Sequence, residues 1–246
     1  MKKSTITAAC IILTAIISIT APAADQYWPT WRGPSQIGVS PAGNPPLTWS
    51  ESENIKWKVE LKGDPSNSSP IIWKDRIFFQ IAVKTDAAAT PTPAPQRRGG
   101  MRRPGGPGGR GGFGGGNPTD KYKFALVCLD RSSGDVIWHK TVREMVPHQG
   151  HHRDHGFASF SPVTDGKLLW AHFGSRGLHC FDLDGNPKWS KDLGKMNTVA
   201  GFGEGGSPTV AGDAVVVVMD HEGDSAITAL NKHTGDILWK KDRDEA

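Results

Sequence analysis

Four histidines fall within eight residues of the sequence, in the segment HQGHHRDHG. Together with an aspartate they offer imidazole nitrogens and a carboxylate, which are ligand types that zinc and related metals take. The residues are His148, His151, His152, Asp154 and His155. Their spacing matches no closed zinc motif, and a solvated histidine-rich loop on a binding face accounts for the same residues. Both interpretations stay open, although the sequence predicts no dedicated metal site.

Other polar residues that could join this chemistry lie in glycine-containing loops. They are Arg176 in FGSRG, Glu204 in GFGEGG, and Asp220 and His221 in DHEGD. Ordinary turn chemistry explains them equally well. The sequence has no nucleophile elbow, P-loop or dinucleotide fingerprint, and GFGEGG leads into a Ser-Pro strand start instead of a helix. We therefore predict no catalytic residue.

The elements that position these loops are repeated along the chain. The phrases LDRSSGDVIW, FDLDGNPKW and LNKHTGDILW each contain a strand, a turn with glycine and a strand that reaches a tryptophan. Trp57, Trp138, Trp189 and Trp239 are 81, 51 and 50 residues apart, and the first interval becomes 46 without a 35-residue insert. A period of about 50 residues is typical of propeller blades.

Each period also has a Ser-Pro start and short runs rich in Val, Ile and aromatic residues, without a long helical periodicity. This pattern predicts an all-β fold, a β-propeller of four-stranded antiparallel blades with about three blades present. Gly134, Gly185 and Gly235 supply a turn conformation that other residues resist. We expect the tryptophans to cover the seams between blades, with ligand contact as the alternative.

The two ends of this repeat region have different compositions. Lys2 and Lys3 precede an apolar run and the small residues Ala21-Pro22-Ala23, which predicts a signal peptide over residues 1–24; an uncleaved membrane anchor is the alternative. Export would place the protein in the periplasm, the cell envelope or the medium. Residues 25–53 form a Trp/Pro-rich leader arm, and residues 54–246 carry the blades.

Residues 85–119 interrupt the first blade with a Pro/Ala-rich and then Gly/Arg-rich stretch. Its composition predicts a disordered insert, which is a plain flexible loop or a weak attractor of anionic envelope polymers or membrane surface. Export removes nucleic acid as a partner. Without the two lysines of the signal peptide and the five arginines of the insert, the formal charge of +4 becomes about −3. The basic pI therefore says little about the folded surface.

Cys128 and Cys180 occupy the same position in two repeats, two residues before an aspartate. This favours small buried side chains in equivalent strands. A disulfide between them is possible in an oxidising compartment, but strands of neighbouring blades normally hold such positions too far apart.

The phrases ALNKHTGDILW, VCLDRSSGDVIW and CFDLDGNPKW resemble the tryptophan-docking repeats of the pyrroloquinoline-quinone (PQQ)-like β-propellers. They are most similar to exported, non-enzymatic members related to BamB, a lipoprotein of outer-membrane assembly, and the leader WPTWRGPSQIGVS is similar to that group as well. The resemblance extends over residues 27–243 apart from the insert. It implies a scaffold that binds envelope proteins or a ligand, with no transmembrane span in the mature chain.

The quinoprotein dehydrogenases of this superfamily hold PQQ with adjacent cysteines, a stacking tryptophan, calcium and a catalytic aspartate. This sequence has no adjacent cysteines, so PQQ is not expected. The alternative function is a propeller enzyme, either a metal-assisted hydrolase or a degenerate quinoprotein.

Closed propellers need at least four blades, whereas three and an outer strand around Trp57 are present. We expect either a fragment of a longer protein or an open arc that another subunit covers, with self-association through open blade edges. In either case the loops from an outer strand to the next inner strand, and those between the two middle strands, should lie on one face. That face carries the histidine cluster with Arg176, Glu204, Asp220 and His221.

Overall fold

The computed structural model describes residues 27–40, 43–64, 66–88 and 118–244. These residues form thirteen strands and two short 3₁₀ turns, Gly174–Arg176 and Val199–Gly201. The strands are β1 (Tyr27–Trp28), β2 (Ile71–Trp73), β3 (Arg76–Ala88), β4 (Asp120–Asp130), β5 (Val136–Met145), β6 (Val163–Thr164), β7 (Leu168–His172), β8 (Leu178–Asp182), β9 (Pro187–Lys191), β10 (Thr209–Ala211), β11 (Ala214–Met219), β12 (Ala226–Asn231) and β13 (Ile237–Asp242). Within the described ranges no helix has the length and apolar character needed to cross a bilayer. The predicted signal peptide lies outside these ranges.

The strands form three antiparallel sheets in the order of the chain. Blade 1 contains β1 to β5, blade 2 contains β6 to β9, and blade 3 contains β10 to β13. Each blade has four strands, and β1 adds a fifth to blade 1. The prediction of an all-β partial propeller is confirmed.

Side-chain alternation along the strands explains why the sheets stack. In β11, Val215, Val217 and Met219 are buried, whereas Val216 and Val218 between them are only partly covered. Because successive side chains of a strand point to opposite faces, one face of this sheet packs on blade 2. The other face of blade 3 meets no sheet among the described residues.

Two apolar clusters hold the blades together. Phe78 and Phe124 of blade 1 pack with Leu169 and Phe173 of blade 2. A second cluster joins blades 2 and 3; its members include Trp170, Leu178, Val215 and Leu230. Cys128 belongs to the first cluster and Cys180 to the second, and both are free thiols. The disulfide that the sequence left open is therefore absent between these two residues.

The repeated tryptophans lie across the seams between blades. The indole N–H groups of Trp57, Trp138 and Trp189 each donate a 3.0 Å hydrogen bond, to the carbonyl oxygens of Arg131, Leu183 and Lys232 respectively. Each acceptor lies in the turn of the following blade. Trp239 has no such turn to contact among the described residues, and its side chain is 48% exposed.

The turn glycines lie beneath these indoles. Gly185 has a φ of +79°, and a Cβ added there would come within 2.9 Å of Trp138. Gly134 and Gly235 have the same relation to Trp57 and Trp189. The glycine is thus required both for its left-handed conformation and for the space that the next indole needs.

Two segments before strand β2 pack against the blades. Tyr27 and Trp28 pair with Trp73 and Ile72, and the Pro29 carbonyl accepts a hydrogen bond from the Thr164 N–H of blade 2. The start of the leader arm, residues 27–29, therefore lies against the inner strands of two blades. The segment around Trp57 packs on the open face of blade 1 and forms no strand, whereas the sequence predicted an outer strand there.

The insert begins later than the sequence predicts. Strand β3 continues through Ala88, which pairs with Asp120 of β4, so the boundary placed at residue 85 is four residues too early. The reason is that backbone pairing extends this hairpin whatever the composition of its side chains. Residues 89–117 lie outside the described ranges.

Candidate binding face

Five loops meet at one end of the blades. Residues 63–70 lead into blade 1 (the blade-1 crossing), residues 146–162 into blade 2 (the histidine loop), and residues 192–208 into blade 3 (the blade-3 crossing). Residues 173–177 and 220–225 connect the middle strands of blades 2 and 3. In antiparallel four-stranded sheets these connections emerge at the same end, and together they form what we call the loop face.

A buried ion pair lies at the centre of the loop face. The Arg176 Nη1 atom is 2.9 Å from Glu204 Oε2, and the two residues are only 3% and 7% exposed. The guanidinium also lies over the rings of Phe124 and Phe157, 5.0 and 5.4 Å from their centroids. Burial lowers the pKa of Arg176, and the Glu204 carboxylate opposes that effect. The pair connects blade 2 to the blade-3 crossing.

Ser175 completes the surroundings of the Glu204 carboxylate. Its backbone N–H and its hydroxyl donate to the two carboxylate oxygens at 2.7 and 2.8 Å, and the hydroxyl accepts from the Met196 N–H at 2.8 Å. Gly174 beside it has no room for a side chain, because a Cβ would collide with the Glu204 carboxylate. Both oxygens of the Glu204 carboxylate thus have partners inside the protein, in Ser175 and Arg176.

The histidine loop is joined to the blade-3 crossing by side-chain hydrogen bonds. His148 Nε2 lies 2.8 Å from the Met196 carbonyl oxygen and 3.9 Å from Glu204 Oε1. A carbonyl can only accept, so this nitrogen carries the proton. The Gln149 amide bonds to both the N–H and the carbonyl of Thr198, each at 2.9 Å.

His151 and His155 of the same loop lie beside Gly203 of the blade-3 crossing. His151 Nδ1 is 2.8 Å from the His152 carbonyl, its Nε2 is 3.9 Å from Asp64 Oδ2, and its ring meets the Phe157 ring edge-on at 4.3 Å. Asp64 raises the pKa of His151 and burial opposes that effect, whereas burial lowers the pKa of His155.

His152 and Asp154 lie further out. The His152 N–H donates to the Phe202 carbonyl at 3.0 Å, and the His152 ring lies 5.8 Å from the Phe202 ring. Asp154 is exposed and its backbone N–H donates to His152 Nδ1. Val199 and Phe202 themselves are 56% and 42% exposed. They form the apolar tip of the blade-3 crossing.

Asp220 and His221 do not join the Arg176 cluster. Asp220 pairs with Arg243 at 2.7 Å, and His221 Nδ1 accepts the Gly223 N–H at 2.9 Å. His221 lines a separate cavity of about 350 Å³ with Lys195 and Lys240. The structure therefore divides the predicted residues into one central group and one peripheral group.

The metal alternative finds no ligand set in the part of the chain that the structure describes. No group of three or more His, Cys, Asp or Glu side chains there could hold a metal ion. His148, His151 and His155 instead direct ring nitrogens at backbone carbonyls.

Several residues of the loop face carry no sequence signal. Asp64, Phe157 and Ser175 contact the predicted residues, and Gln149 bonds to Thr198, yet the sequence analysis selected none of them. Their partners are mostly distant in sequence, so only the stacking of blades brings them together.

A family model described as "Outer membrane protein assembly factor BamB" matches residues 123–246, which is half of the chain. The chain belongs to this BamB family. The matched region begins in β4 and includes blades 2 and 3 with most of the loop face. No curated protein matches the chain.

Solved structures with similarity to this BamB-family chain include BamB from Moraxella catarrhalis, at 19% identity and a TM-score of 0.34, covering 77% of this chain and 55% of that one. They also include a europium-containing methanol dehydrogenase, at 12% identity and a TM-score of 0.40, covering 70% and 24%. A quinohemoprotein alcohol dehydrogenase from Comamonas testosteroni has 11% identity and a TM-score of 0.40, covering 74% and 21%. The chain spans between about a fifth and about half of the length of these proteins.

Proposed function

We propose that this BamB-family chain is an exported β-propeller scaffold that binds another protein of the cell envelope through its loop face. One observation carries the proposal. The side chains of His148 and Gln149 bond to the backbone of the blade-3 crossing, and they support a loop whose tip exposes Val199 and Phe202 to solvent. Such a face is suited to binding, because exposed aromatic side chains on rigid supports supply much of the affinity of protein interfaces.

The apolar tip is held in a defined conformation. The Gly201 N–H donates to the Thr198 carbonyl at 3.1 Å, and the Phe202 N–H donates to the Val199 carbonyl at 3.0 Å. Ala200 has a φ of +50°, which is rare for a residue with a Cβ and persists only where its surroundings enforce it. The bonds between Gln149 and Thr198 anchor the turn to the histidine loop. A partner would therefore meet a preformed surface.

Export follows from the predicted signal peptide and supports a partner in the periplasm or the envelope. The name of the matched family points the same way, because it describes an outer-membrane assembly factor. The mature N-terminus is the direct test: N-terminal sequencing of the protein from fractionated cells should place it after Ala23 or Ala24.

The alternative of a propeller enzyme has less support on this face. An enzyme would need polar groups that are free to meet a substrate, whereas Glu204 bonds to Ser175 and Arg176 and His148 bonds to Met196. A quinone cofactor is not proposed either. Cys128 and Cys180 are buried thiols in separate blades, so they do not supply the adjacent cysteines that quinoproteins use.

Site-specific photo-crosslinking in intact cells tests the scaffold proposal. A photoreactive amino acid at position 199 should give one discrete crosslinked envelope protein. The same amino acid at Ser132 or His233, which are exposed in turns at the opposite end of the blades, should give none. Phe202→Asp should abolish the crosslink from position 199 without loss of protein. Equal crosslinking from both ends, or none from position 199, would rule out the loop face as the binding surface.

A further inference from the structure

Asp64 and His151 form a contact that joins two blades at the edge of the loop face. Asp64 belongs to the blade-1 crossing, and His151 belongs to the histidine loop that leads into blade 2. The facing atoms, Asp64 Oδ2 and His151 Nε2, are 3.9 Å apart, and both side chains are largely buried. Because little water reaches the pair, a charge on the imidazole would interact with the carboxylate with little screening by solvent.

The hydrogen bond on the other ring nitrogen determines what that charge does. His151 Nδ1 lies 2.8 Å from the His152 carbonyl, which can only accept, so Nδ1 carries a proton. A neutral ring then has a lone pair at Nε2, facing the Asp64 carboxylate. Protonation replaces this unfavourable approach of a lone pair to a carboxylate with an ion pair.

We propose that Asp64 and His151 are a pH-dependent latch, which closes when His151 is protonated and then joins the blade-1 crossing to the histidine loop.

The groups around the latch act in both directions. Asp64 favours the charged imidazole, and Arg176 on the adjacent turn opposes it. Tyr122 of β4 also faces Asp64; burial and then this carboxylate raise the pKa of Tyr122 to about 12, so it stays neutral. Burial lowers the pKa of His155 in the same loop, and Glu204 opposes that effect from the blade-3 crossing. The balance at His151 is a pKa above the ordinary value.

The direction of the pH effect follows from that balance. A histidine whose pKa is raised on folding stabilises the fold fully below its ordinary pKa, and this contribution is lost as pH rises through the raised value. The ordinary value is 6.5, so the latch is closed at pH 6 and opens as the pH rises through the raised pKa of His151. The latch acts in addition to neutral hydrogen bonds between the same two segments, such as that from the Ser66 hydroxyl to the Ala158 carbonyl, which persist in both protonation states of His151.

Opening the latch would affect a cavity beneath the blade-1 crossing. This cavity has a volume of about 340 Å³, and its walls include Asp64, Ser66, Phe79 and Ile81. Asp64 is one of the wall residues, so the wall should be less mobile when His151 is protonated and pairs with Asp64.

Two measurements on the whole chain test the latch without a partner. In an NMR titration the His151 ring should titrate with a midpoint above 6.5, and Asp64→Asn should bring the midpoint down to 6.5 or below. The backbone N–H of Asp64 donates to the Ala82 carbonyl at 2.9 Å, so its hydrogen exchange reports local opening. After correction for the intrinsic exchange rate, its protection should be severalfold greater at pH 6 than at pH 8, because the protonated form of His151 is favoured in the folded protein.

The controls separate the latch from general effects of pH. His151→Gln and Asp64→Asn should each reduce the difference in protection to less than about twofold. His233→Gln, in an exposed turn at the opposite end, should leave it unchanged. His172 and His179, whose pKa values burial lowers to about 4, stay neutral throughout this range. A wild-type midpoint at or below 6.5, or equal protection of the Asp64 amide at both pH values, would overturn the proposal whether or not the loop face binds a partner.

Discussion

At the scale of single residues, the loop face depends on the burial of Arg176 with Glu204. An ion pair that is removed from water gains little net stability, but removal of one partner leaves an uncompensated charge in the interior. Glu204 also accepts two hydrogen bonds from Ser175, so its loss would release the turn as well as the guanidinium. The pair also affects the histidine loop, because His148 lies 3.9 Å from Glu204 and bonds to Met196 beside it.

Replacement of Glu204 should therefore be costly. We expect Glu204→Ala to lower the free energy of unfolding by about 3–5 kcal/mol, because it strands the buried guanidinium. The double variant Arg176→Met, Glu204→Met should lose less than Glu204→Ala alone, since it leaves no unpaired charge. Urea denaturation at constant pH measures both. Asp154→Asn, in an exposed part of the same face, should stay within about 0.5 kcal/mol of wild type. An equal loss for Asp154→Asn would contradict the central role of the pair.

The histidines could be found from the sequence, but their partners could not. His148 and His151 stand out by their density in one segment, whereas Asp64 and Gln149 are ordinary loop residues. Gln149 meets Thr198 across 49 residues of chain, and Asp64 meets His151 only after blades 1 and 2 have stacked. Such contacts depend on how far each blade is rotated from the last, which a single sequence does not encode locally.

At the scale of the elements, the fold repeats one contact, in which a tryptophan ring packs on the turn glycine of the next blade. We call this contact the tryptophan–glycine lock. Its sequence signal is local, because the strand, turn and strand lie within about ten residues. That is why the blades could be predicted. The two-residue strand β1 could not be, since two residues show no periodicity, and the true start of the insert depends on backbone pairing between Ala88 and Asp120.

Two glycines allow the lock to be separated from plain turn chemistry. Gly185 and Gly212 both have a positive φ, but a Cβ at Gly185 would meet the Trp138 ring, whereas a Cβ at Gly212 has open space. Gly212→Ala should cost about 1–2 kcal/mol from backbone conformation alone. Gly185→Ala should cost clearly more, because the indole of Trp138 must also move. The two variants are compared by urea denaturation and by the intrinsic fluorescence of tryptophan. An equal loss of unfolding free energy in the two variants would mean that the Trp138 ring does not pack against Gly185.

At the scale of the whole molecule, the three blades have two unequal ends. The open face of blade 1 is covered by the segment around Trp57. The Trp57 ring packs on the turn of blade 1 that contains Arg131 and Gly134. The open face of blade 3 has Trp239 beside it, half-exposed and without a turn to contact among the described residues. The number of blades was predicted from the period, but the covering of one end by a segment without strand structure was not.

This asymmetry predicts different costs for chemically identical substitutions. Trp138→Ala should lower the free energy of unfolding by about 3–5 kcal/mol, because it opens the seam between blades 1 and 2. Trp239→Ala in the same chain should cost less than about 1 kcal/mol, since its indole is half-exposed already. Thermal or urea unfolding of the two variants gives the comparison. A large loss for Trp239→Ala would show that this side chain is covered in solution.

The short strand β1 has a practical consequence for labelling. Tyr27 is hydrogen-bonded along the innermost edge of blade 1, and Pro29, two residues on, is bonded to blade 2. An affinity tag fused directly before Tyr27 would thus begin beside the inner strands of two blades. A spacer ahead of that residue would move the tag away from these contacts, so purification and imaging fusions should carry one.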